Sequence, residues 1–210
     1  MSKIIAVTIG DIKGIGIEIL INEWKRQKLR NFVLITNYKL FKKYLSSKKI
    51  YIKTYQSTIK NNKIIFSNHS FNIFDINASN YNQNTIESLK KSYQLVKKNY
   101  FVGIVTLPIN KKKINKINSN FIDQTTFFTK KDGKKNSNMI FIYKDIIFVP
   151  LTMHIELKNV SKNFKNTFNT MNKIKNLNTT LKRDFSINNP KYIMAGINPH
   201  NGEKGIISNE

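Results

Sequence analysis

The sequence predicts an α/β fold, and two features carry that prediction. Short apolar runs rich in β-branched residues, which are typical of buried strands, alternate along the chain with segments whose apolar residues recur at helical spacing. The first strand and the first helix are joined by a glycine-rich turn at residues 10–16, which makes a βα unit. Alternation of strands with helices is the pattern of an α/β protein.

Periodicity sets the bounds of the predicted elements. The predicted strands are residues 3–9, 32–36, 51–55, 101–107, 139–143, 146–149 and 192–197, of which the fifth and sixth form a hairpin. The predicted helices are residues 17–24, 38–45 and 84–100, followed by one long or two shorter helices packed on the sheet within residues 160–181. Asn84 is expected to cap the third helix, with Glu87 three residues later as its capping-box partner. Residues 57–83 have poor periodicity, so we expect a loop there with His69 exposed.

Composition indicates a globular protein. The chain has 210 residues, of which 40 % are hydrophobic, and this is enough for a sizeable core. It has no cysteine, so disulfides and thiolate chemistry are excluded. No apolar run approaches the roughly 20 residues that a membrane span needs, and the first residues lead into a strand without a signal-peptide layout, so we expect a cytoplasmic protein. Nothing in the composition marks a domain boundary within residues 1–210.

The formal net charge of +24 raises the possibility of nucleic-acid binding. The chain has only three arginines, at positions 26, 30 and 183, so 33 of its 36 basic residues are lysines, and these are spread along the chain. Arginine is the side chain that reads bases and phosphates with two parallel hydrogen bonds. Lysine, asparagine and isoleucine share A/T-rich codons, so we attribute the charge to mutational drift in an A/T-rich genome and do not expect nucleic acid to be the main partner.

Two histidines follow apolar runs that resemble strands. His154 comes just after the run at residues 146–152, and His200 follows the run at residues 192–197 through Asn198 and Pro199. Ligand sites of open α/β sheets lie at the carboxyl ends of strands. The two positions therefore suggest a metal site or an acid–base site, with two unrelated surface histidines as the alternative.

The glycine-rich turn after the first strand contains Gly10, Asp11, Gly14 and Gly16. A helix that begins at such a turn can bind an anion such as a phosphate at its amino end. The spacing differs from the dinucleotide fingerprint G-x-G-x-x-G, so it does not predict a Rossmann site. A tight turn that needs glycine for packing explains the same residues equally well.

Six motifs occur in order along the chain. Residues 6–18 resemble the motif ITxGDPAGIGPE, and residues 105–111 resemble TxPxNK. The remaining four matches are residues 121–125 with FxGHTE, residues 152–157 with TTHLPL, residues 195–203 with GLNPHAGE, and residues 205–210 with the start of GxxGxEE. Taken together, these motifs resemble those of one enzyme family, 4-hydroxythreonine-4-phosphate dehydrogenase of pyridoxal phosphate biosynthesis.

The resemblance implies an α/β/α sandwich like that of the isocitrate and isopropylmalate dehydrogenases, in a homodimer. It implies NAD-dependent oxidation of 4-phosphooxy-threonine, followed by decarboxylation to 3-amino-2-oxopropyl phosphate. A divalent metal (zinc, magnesium or cobalt) held by three histidines would stabilise the developing alkoxide. By motif position, His154 and His200 match two of the three ligands, and Gln124, Thr125 and Lys111 lie where the family contacts its substrate.

The sequence also departs from the family pattern. Gln124 replaces the family's substrate-contacting histidine, and glutamine cannot move a proton near neutral pH. Ile12 and Lys13 replace the Pro and Ala of GDPAG. The family's third metal histidine, its phosphate-binding residues and most of its NAD contacts lie in a C-terminal segment with no counterpart in these residues, so the resemblance is to a C-terminally truncated member.

Three functional hypotheses follow. The first is a dehydrogenase of this family that depends on a further C-terminal piece, and the second is an inactive remnant of that enzyme. The third, from another class, is a basic nucleic-acid-binding protein. We expect the 210 residues alone to be inactive as a dehydrogenase.

Overall fold

The computed structural model describes residues 4–134, 137–153, 155–164 and 167–197. Chain contacts divide the protein into two compact units, residues 1–132 and residues 133–210, a division that composition does not signal.

The first unit is a three-layered α/β/α sandwich. Its strands are β1 (Ile5–Thr8), β2 (Phe32–Thr36), β3 (Thr54–Lys60), β4 (Lys63–Ile65), β5 (Phe71–Asp75) and β6 (Gly103–Thr106). Its helices are α1 (Ile15–Lys25), α2 (Tyr38–Ser47), α3 (Tyr81–Lys97), α4 (Lys111–Asn115) and α5 (Gln124–Lys131). The sheet order is β4-β3-β5-β2-β1-β6, in which β4 alone runs antiparallel to its neighbour.

The two faces of the sheet are covered by different helices, because successive side chains of a strand point to opposite faces. Val7 and Leu34 pack with α1 and α2, in a cluster that includes Ile17, Leu20 and Phe41. On the other face Ala6 and Val33 pack with Leu95 of α3. A parallel sheet that is buried on both faces needs apolar residues at nearly every position, which is why β2 reads Phe-Val-Leu-Ile-Thr with all five residues buried. The predicted α/β fold is confirmed.

The second unit contains a hairpin and helices. The hairpin pairs β7 (Phe141–Tyr143) with β8 (Ile146–Phe148), and Lys144 in its turn has φ = 52°. A short 3₁₀ turn (Leu157–Asn159) precedes α6 (Val160–Phe164) and α7 (Thr167–Phe185). Leu177 and Leu181, one helical turn apart on α7, are buried. The predicted hairpin is confirmed, and helix is present over residues 160–164 and 167–185, where the sequence predicts one long or two shorter helices.

Three predictions about elements are wrong. Residues 57–83 are largely regular, since they hold the end of β3, then β4, β5 and the first turn of α3. Asn84 is not a cap: α3 begins earlier, with Asn80 as the cap that accepts a hydrogen bond from the backbone N–H of Gln83. Residues 192–197 form no strand and are all exposed, with Ile193 99 % exposed, because no strand of the described chain pairs with them. His69 is exposed in a turn, as predicted.

Candidate active site

The loops that follow β1 and β6 meet at the carboxyl edge of the sheet. The backbone N–H of Asp11 donates to the carbonyl of Pro108 (2.8 Å). Gly10 has φ = +61°, and a Cβ placed on it would lie 2.5 Å from that same carbonyl oxygen. A Cβ on Gly16 would lie 2.7 Å from Cδ of Pro108. Gly10 and Gly16 are therefore needed for close packing of the two loops. This favours the interpretation that the turn needs glycine for packing.

An ion pair joins the same two loops. Nζ of Lys113 lies 2.8 Å from Oδ2 of Asp11, and the side chains are 42 % and 18 % exposed. The other oxygen of Asp11 accepts a hydrogen bond from the N–H of Lys13 (3.1 Å). Lys113 is placed by α4, whose cap Asn110 accepts from the N–H of Lys113. Sequence patterns indicate Asp11 but not Lys113. The helix-capping Asn110 could have signalled it, since a cap fixes the residue three positions later in the first helical turn.

Gln124 holds a third segment against the β6 loop. Its Nε2 donates to the carbonyl of Leu107 (2.9 Å). Asp123 caps α5 by accepting from the N–H of Thr126 (2.7 Å), so Gln124 is the first residue of a helix. Glutamine can make this amide-to-carbonyl bond at any pH, because its side chain does not titrate. Gln124 thus links the start of α5 to the β6 loop.

Thr125 and Gln124 also line an open cavity of about 410 Å³. Its other lining residues include Thr106 at the end of β6 and Tyr93, Lys97 and Asp132. Lys111 is exposed on the first turn of α4. The structure therefore brings Gly10, Asp11 and Gln124 together through residues 107–108.

Lys97, Tyr93 and Asp132 form a charged cluster beside this cavity. Oδ1 of Asp132 accepts hydrogen bonds from the Tyr93 hydroxyl (2.9 Å) and the Lys97 ammonium (3.0 Å). The hydrogen bond to Asp132 and the charge of that carboxylate raise the pKa of Lys97. Desolvation, together with the bond to Asp132, raises the pKa of Tyr93. Lys97 is consequently cationic and Tyr93 protonated at neutral pH.

Polar side chains of α3 form hydrogen bonds with the carboxyl ends of β1 and β2 and with the residues that follow them. Thr85 donates to the carbonyl of Gly10 (2.6 Å), and Ser88 accepts from the N–H of Ile9 (3.0 Å) while it donates to the carbonyl of Ile35 (2.5 Å). Asn84 accepts from the N–H of Asn37 (2.8 Å) and donates to the Thr36 hydroxyl (2.9 Å). All three α3 residues are buried. Sequence patterns do not indicate these three residues, because polar residues of these types are common on helix surfaces.

The structure leaves the predicted metal site untested. His154 and His200 both lie outside the described residues. Within the residues that the structure describes, no group of three or more His, Cys, Asp and Glu side chains could hold a metal ion. Over the same residues, no helix is long and apolar enough to cross a membrane.

The first unit is thus a mostly parallel α/β sandwich with three loops converging at the carboxyl edge of its central strands. Solved structures share the fold. A 4-hydroxythreonine-4-phosphate dehydrogenase from Klebsiella pneumoniae superposes with a TM-score of 0.82 at 20 % identity, over 99 % of this chain and 68 % of its own. A putative enzyme of the same name from Salmonella typhimurium gives a TM-score of 0.81 at 19 % identity, over 96 % of this chain and 66 % of its own.

Sequence comparison places the chain in a family. The family model described as pyridoxal phosphate biosynthetic protein PdxA matches residues 28–210. The 4-hydroxythreonine-4-phosphate dehydrogenase of Zymomonas mobilis is 29 % identical over 99 % of this chain and 65 % of that relative. The enzyme of the same name from Wigglesworthia glossinidia brevipalpis is 33 % identical over 69 % of this chain. The chain belongs to the PdxA family, and it spans about two thirds of the length of the relatives that it matches from end to end.

Proposed function

We propose that this chain supplies the first two thirds of a 4-hydroxythreonine-4-phosphate dehydrogenase. The reaction is NAD-dependent oxidation of 4-phosphooxy-threonine, followed by decarboxylation to 3-amino-2-oxopropyl phosphate. The match of the family model to residues 28–210 carries this proposal, and relatives with that name support it. A nucleic-acid-binding role has no such support.

The geometry supports a substrate site at the carboxyl edge of β1 and β6. Ligands of open α/β sheets bind in the crevice outside the carboxyl ends of strands. Gly10, Asp11 and Gln124 are linked there through residues 107–108. The proposed substrate-binding residues are Gln124, Thr125 and Lys111. The glycine-rich turn with Gly10, Asp11, Gly14 and Gly16 is proposed as a further part of the site.

Each of these groups has a definite chemical capacity. The ammonium of Lys111 is exposed and can neutralise a phosphate or carboxylate as a point charge. The hydroxyl of Thr125 can both donate and accept a hydrogen bond. Gln124 orients but transfers no proton, so proton transfer in this family member has to come from another group.

His154 and His200 remain the proposed ligands of a divalent metal (zinc, magnesium or cobalt), which would act as a Lewis acid at the substrate hydroxyl. Two histidines are fewer than the three protein ligands that catalytic zinc sites normally use. NAD as cofactor, a homodimer and a cytoplasmic location are proposals on the same family basis.

A chimaera tests the function. This chain replaces the corresponding part of the Zymomonas mobilis relative, and NADH absorbance is followed with 4-phosphooxy-threonine as substrate. We expect activity from the chimaera and none from the 210 residues alone. Lys111→Ala should raise KM about tenfold, in line with the loss of one charge-assisted contact.

Lys112→Ala is the matched control, because Lys112 is the neighbouring exposed lysine of α4, and its KM should not change. A folded chimaera without activity, beside an active intact relative, would refute the proposal. Robust NADH production by the 210 residues alone would show that the catalytic groups are placed differently from our assignment.

A further inference from the structure

A second cavity lies at the amino-terminal edge of the sheet. Its volume is about 330 Å³, which is at the small end of the range for ligand pockets. Phe32, the first residue of β2, forms part of its wall, and the loop that leads into β5 forms the rim. The proposed substrate loops lie at the carboxyl edge of the same sheet, so this cavity has no part in the function proposed above.

Part of the cavity lining is aromatic. Trp24, Phe32 and Phe66 line the cavity. Trp24 and Phe32 both pack edge-to-face on the buried ring of Phe71, with centroid separations of 5.6 and 5.4 Å. These contacts fix the orientation of both rings, and Trp24 remains partly exposed at the end of α1. A flat aromatic group is the natural partner for such a surface.

The same lining also contains a cation, Arg30, and several hydrogen-bond donors. Arg30 and His69 line the cavity together with Asn31, Asn68 and Ser70, and none of the eleven lining residues, all of them in the described part of the chain, is acidic. Arg30 donates to the carbonyl of Asn68 (3.3 Å) and to Oε1 of Gln27 (3.0 Å). These bonds occupy two of its five N–H donors. The remaining donors suit an anion, and phosphate fits the guanidinium geometry best.

The rim of the cavity is preformed. The buried side chain of Asn72 accepts from the N–H of Ser67 (2.7 Å) and donates to the carbonyls of Ser67 (2.8 Å) and Ser70 (3.2 Å). Ser67 in turn accepts from the N–H of His69 (3.2 Å). A ligand would therefore meet an ordered loop, and the entropic cost of binding would be correspondingly small.

From this arrangement we propose that the cavity binds a small aromatic phosphate, with the phosphate at Arg30 and His69 and the ring against Trp24. The ligand class is that of a mononucleotide or a phosphorylated heterocycle. Both halves of the ligand contribute to binding, because the basic and the aromatic residues line the same cavity.

The only tryptophan of the protein reports on binding. Titration of the full chain with AMP, followed by tryptophan fluorescence, should give a saturable change. Adenosine and inorganic phosphate should each bind at least about tenfold more weakly than AMP, because each lacks one of the two contacts. Arg30→Ala should weaken AMP binding by about tenfold or more, since it removes a charge-assisted contact.

Arg26→Ala is the matched control. Arg26 is exposed on the same stretch of chain, pairs with Glu23 (2.9 Å) and does not line the cavity. Its removal should leave AMP affinity unchanged, whereas His69→Ala, a second variant in an exposed turn, should reduce it. Circular dichroism checks that every variant is folded.

Three results would overturn the proposal. One is the absence of a saturable change, and another is equal weakening by Arg26→Ala and Arg30→Ala, which would indicate general attraction to a cationic chain. The third is binding of inorganic phosphate as tight as that of AMP, which would remove the role of the aromatic residues.

Discussion

Gly10 shows how one backbone position sets the candidate site. Its φ of +61° is unfavourable for other residues, and the carbonyl of Pro108 would lie 2.5 Å from an added Cβ. Gly133 has nearly the same φ (+64°), but nothing lies within 4 Å of its Cβ position. A side chain at Gly133 would cause backbone strain alone, whereas a side chain at Gly10 would cause both backbone strain and a steric clash.

We predict that Gly10→Ala destabilises the protein by roughly 2–5 kcal/mol, of which about 1–2 kcal/mol is backbone strain and the rest overpacking. Gly133→Ala should cost only the strain, about 1–2 kcal/mol. Urea unfolding of both variants measures the difference. Equal costs would mean that the β6 loop moves aside freely, and that the contact with Pro108 does not fix the site.

The pH dependence of stability tests the cluster around Asp132. The pKa of Lys97 and that of Tyr93 are both raised in the folded protein, above ordinary values of 10.5 and 10.0. A raised pKa contributes stability that is fully present below the ordinary value and is lost as the pH rises through the folded value. Wild-type protein should therefore lose stability above about pH 10.

Asp132→Asn removes a cause of both shifts. We expect the difference in unfolding free energy between wild type and this variant to be largest near neutral pH and to shrink above about pH 10. Asp145→Asn, in the exposed hairpin turn, is the control and should show no such trend. Urea midpoints across the pH range supply the measurement, and a difference that stays constant with pH would contradict the assignment.

The buried polar residues of α3 show why part of the candidate site could not be predicted from the sequence. The apolar periodicity from Ile86 onwards predicts a helix correctly, but it does not identify the first residue of that helix. Asn84 and Asn80 are both suitable capping residues by type. The structure settles this through tertiary contacts, because Asn84 is fully buried and bonds the end of β2. Contacts between residues far apart in sequence leave no local signal.

Asn84→Ala should therefore be costly. It leaves the N–H of Asn37 and the hydroxyl of Thr36 without these bonds, and we expect a loss of about 2–4 kcal/mol. Asn82→Ala, two residues earlier on the same helix and only partly buried, should change stability by less than about 0.5 kcal/mol. Thermal or urea unfolding checks both. A small effect of Asn84→Ala would show that its two hydrogen bonds contribute little to stability.

The predicted strands succeeded or failed according to their partners. The run at residues 32–36 lies between β1 and β5 and is buried on both faces, so its apolar sequence and its structure agree residue by residue. Strands β4 and β5 were missed because polar residues flank them, although Ile64 and Phe71 are buried. The run at residues 192–197 has the composition of a strand but none of the described strands pairs with it. The composition of a segment shows whether it can form a strand, but the segment becomes a strand only where another strand pairs with it.

For the chain as a whole, family membership and net charge suggest different functions. The fold and the motif loops are those of an enzyme family, whereas the net charge of +24 resembles that of a nucleic-acid-binding protein. With 33 lysines and only three arginines, the charge lacks the side chain that reads bases. Many of the lysines, such as Lys111 and Lys112, are exposed on the surface.

We predict that any nucleic-acid binding is non-specific and falls steeply as salt is added, because it depends on release of counterions from phosphates. Fluorescence anisotropy with two unrelated duplexes and one single strand, across a salt series, measures this. Heparin, a polyanion without bases, is the control and should compete with all three equally well. A complex that prefers one sequence and persists at about 200 mM salt would contradict the attribution of the charge to codon drift, and it would give this enzyme-like fold a second role.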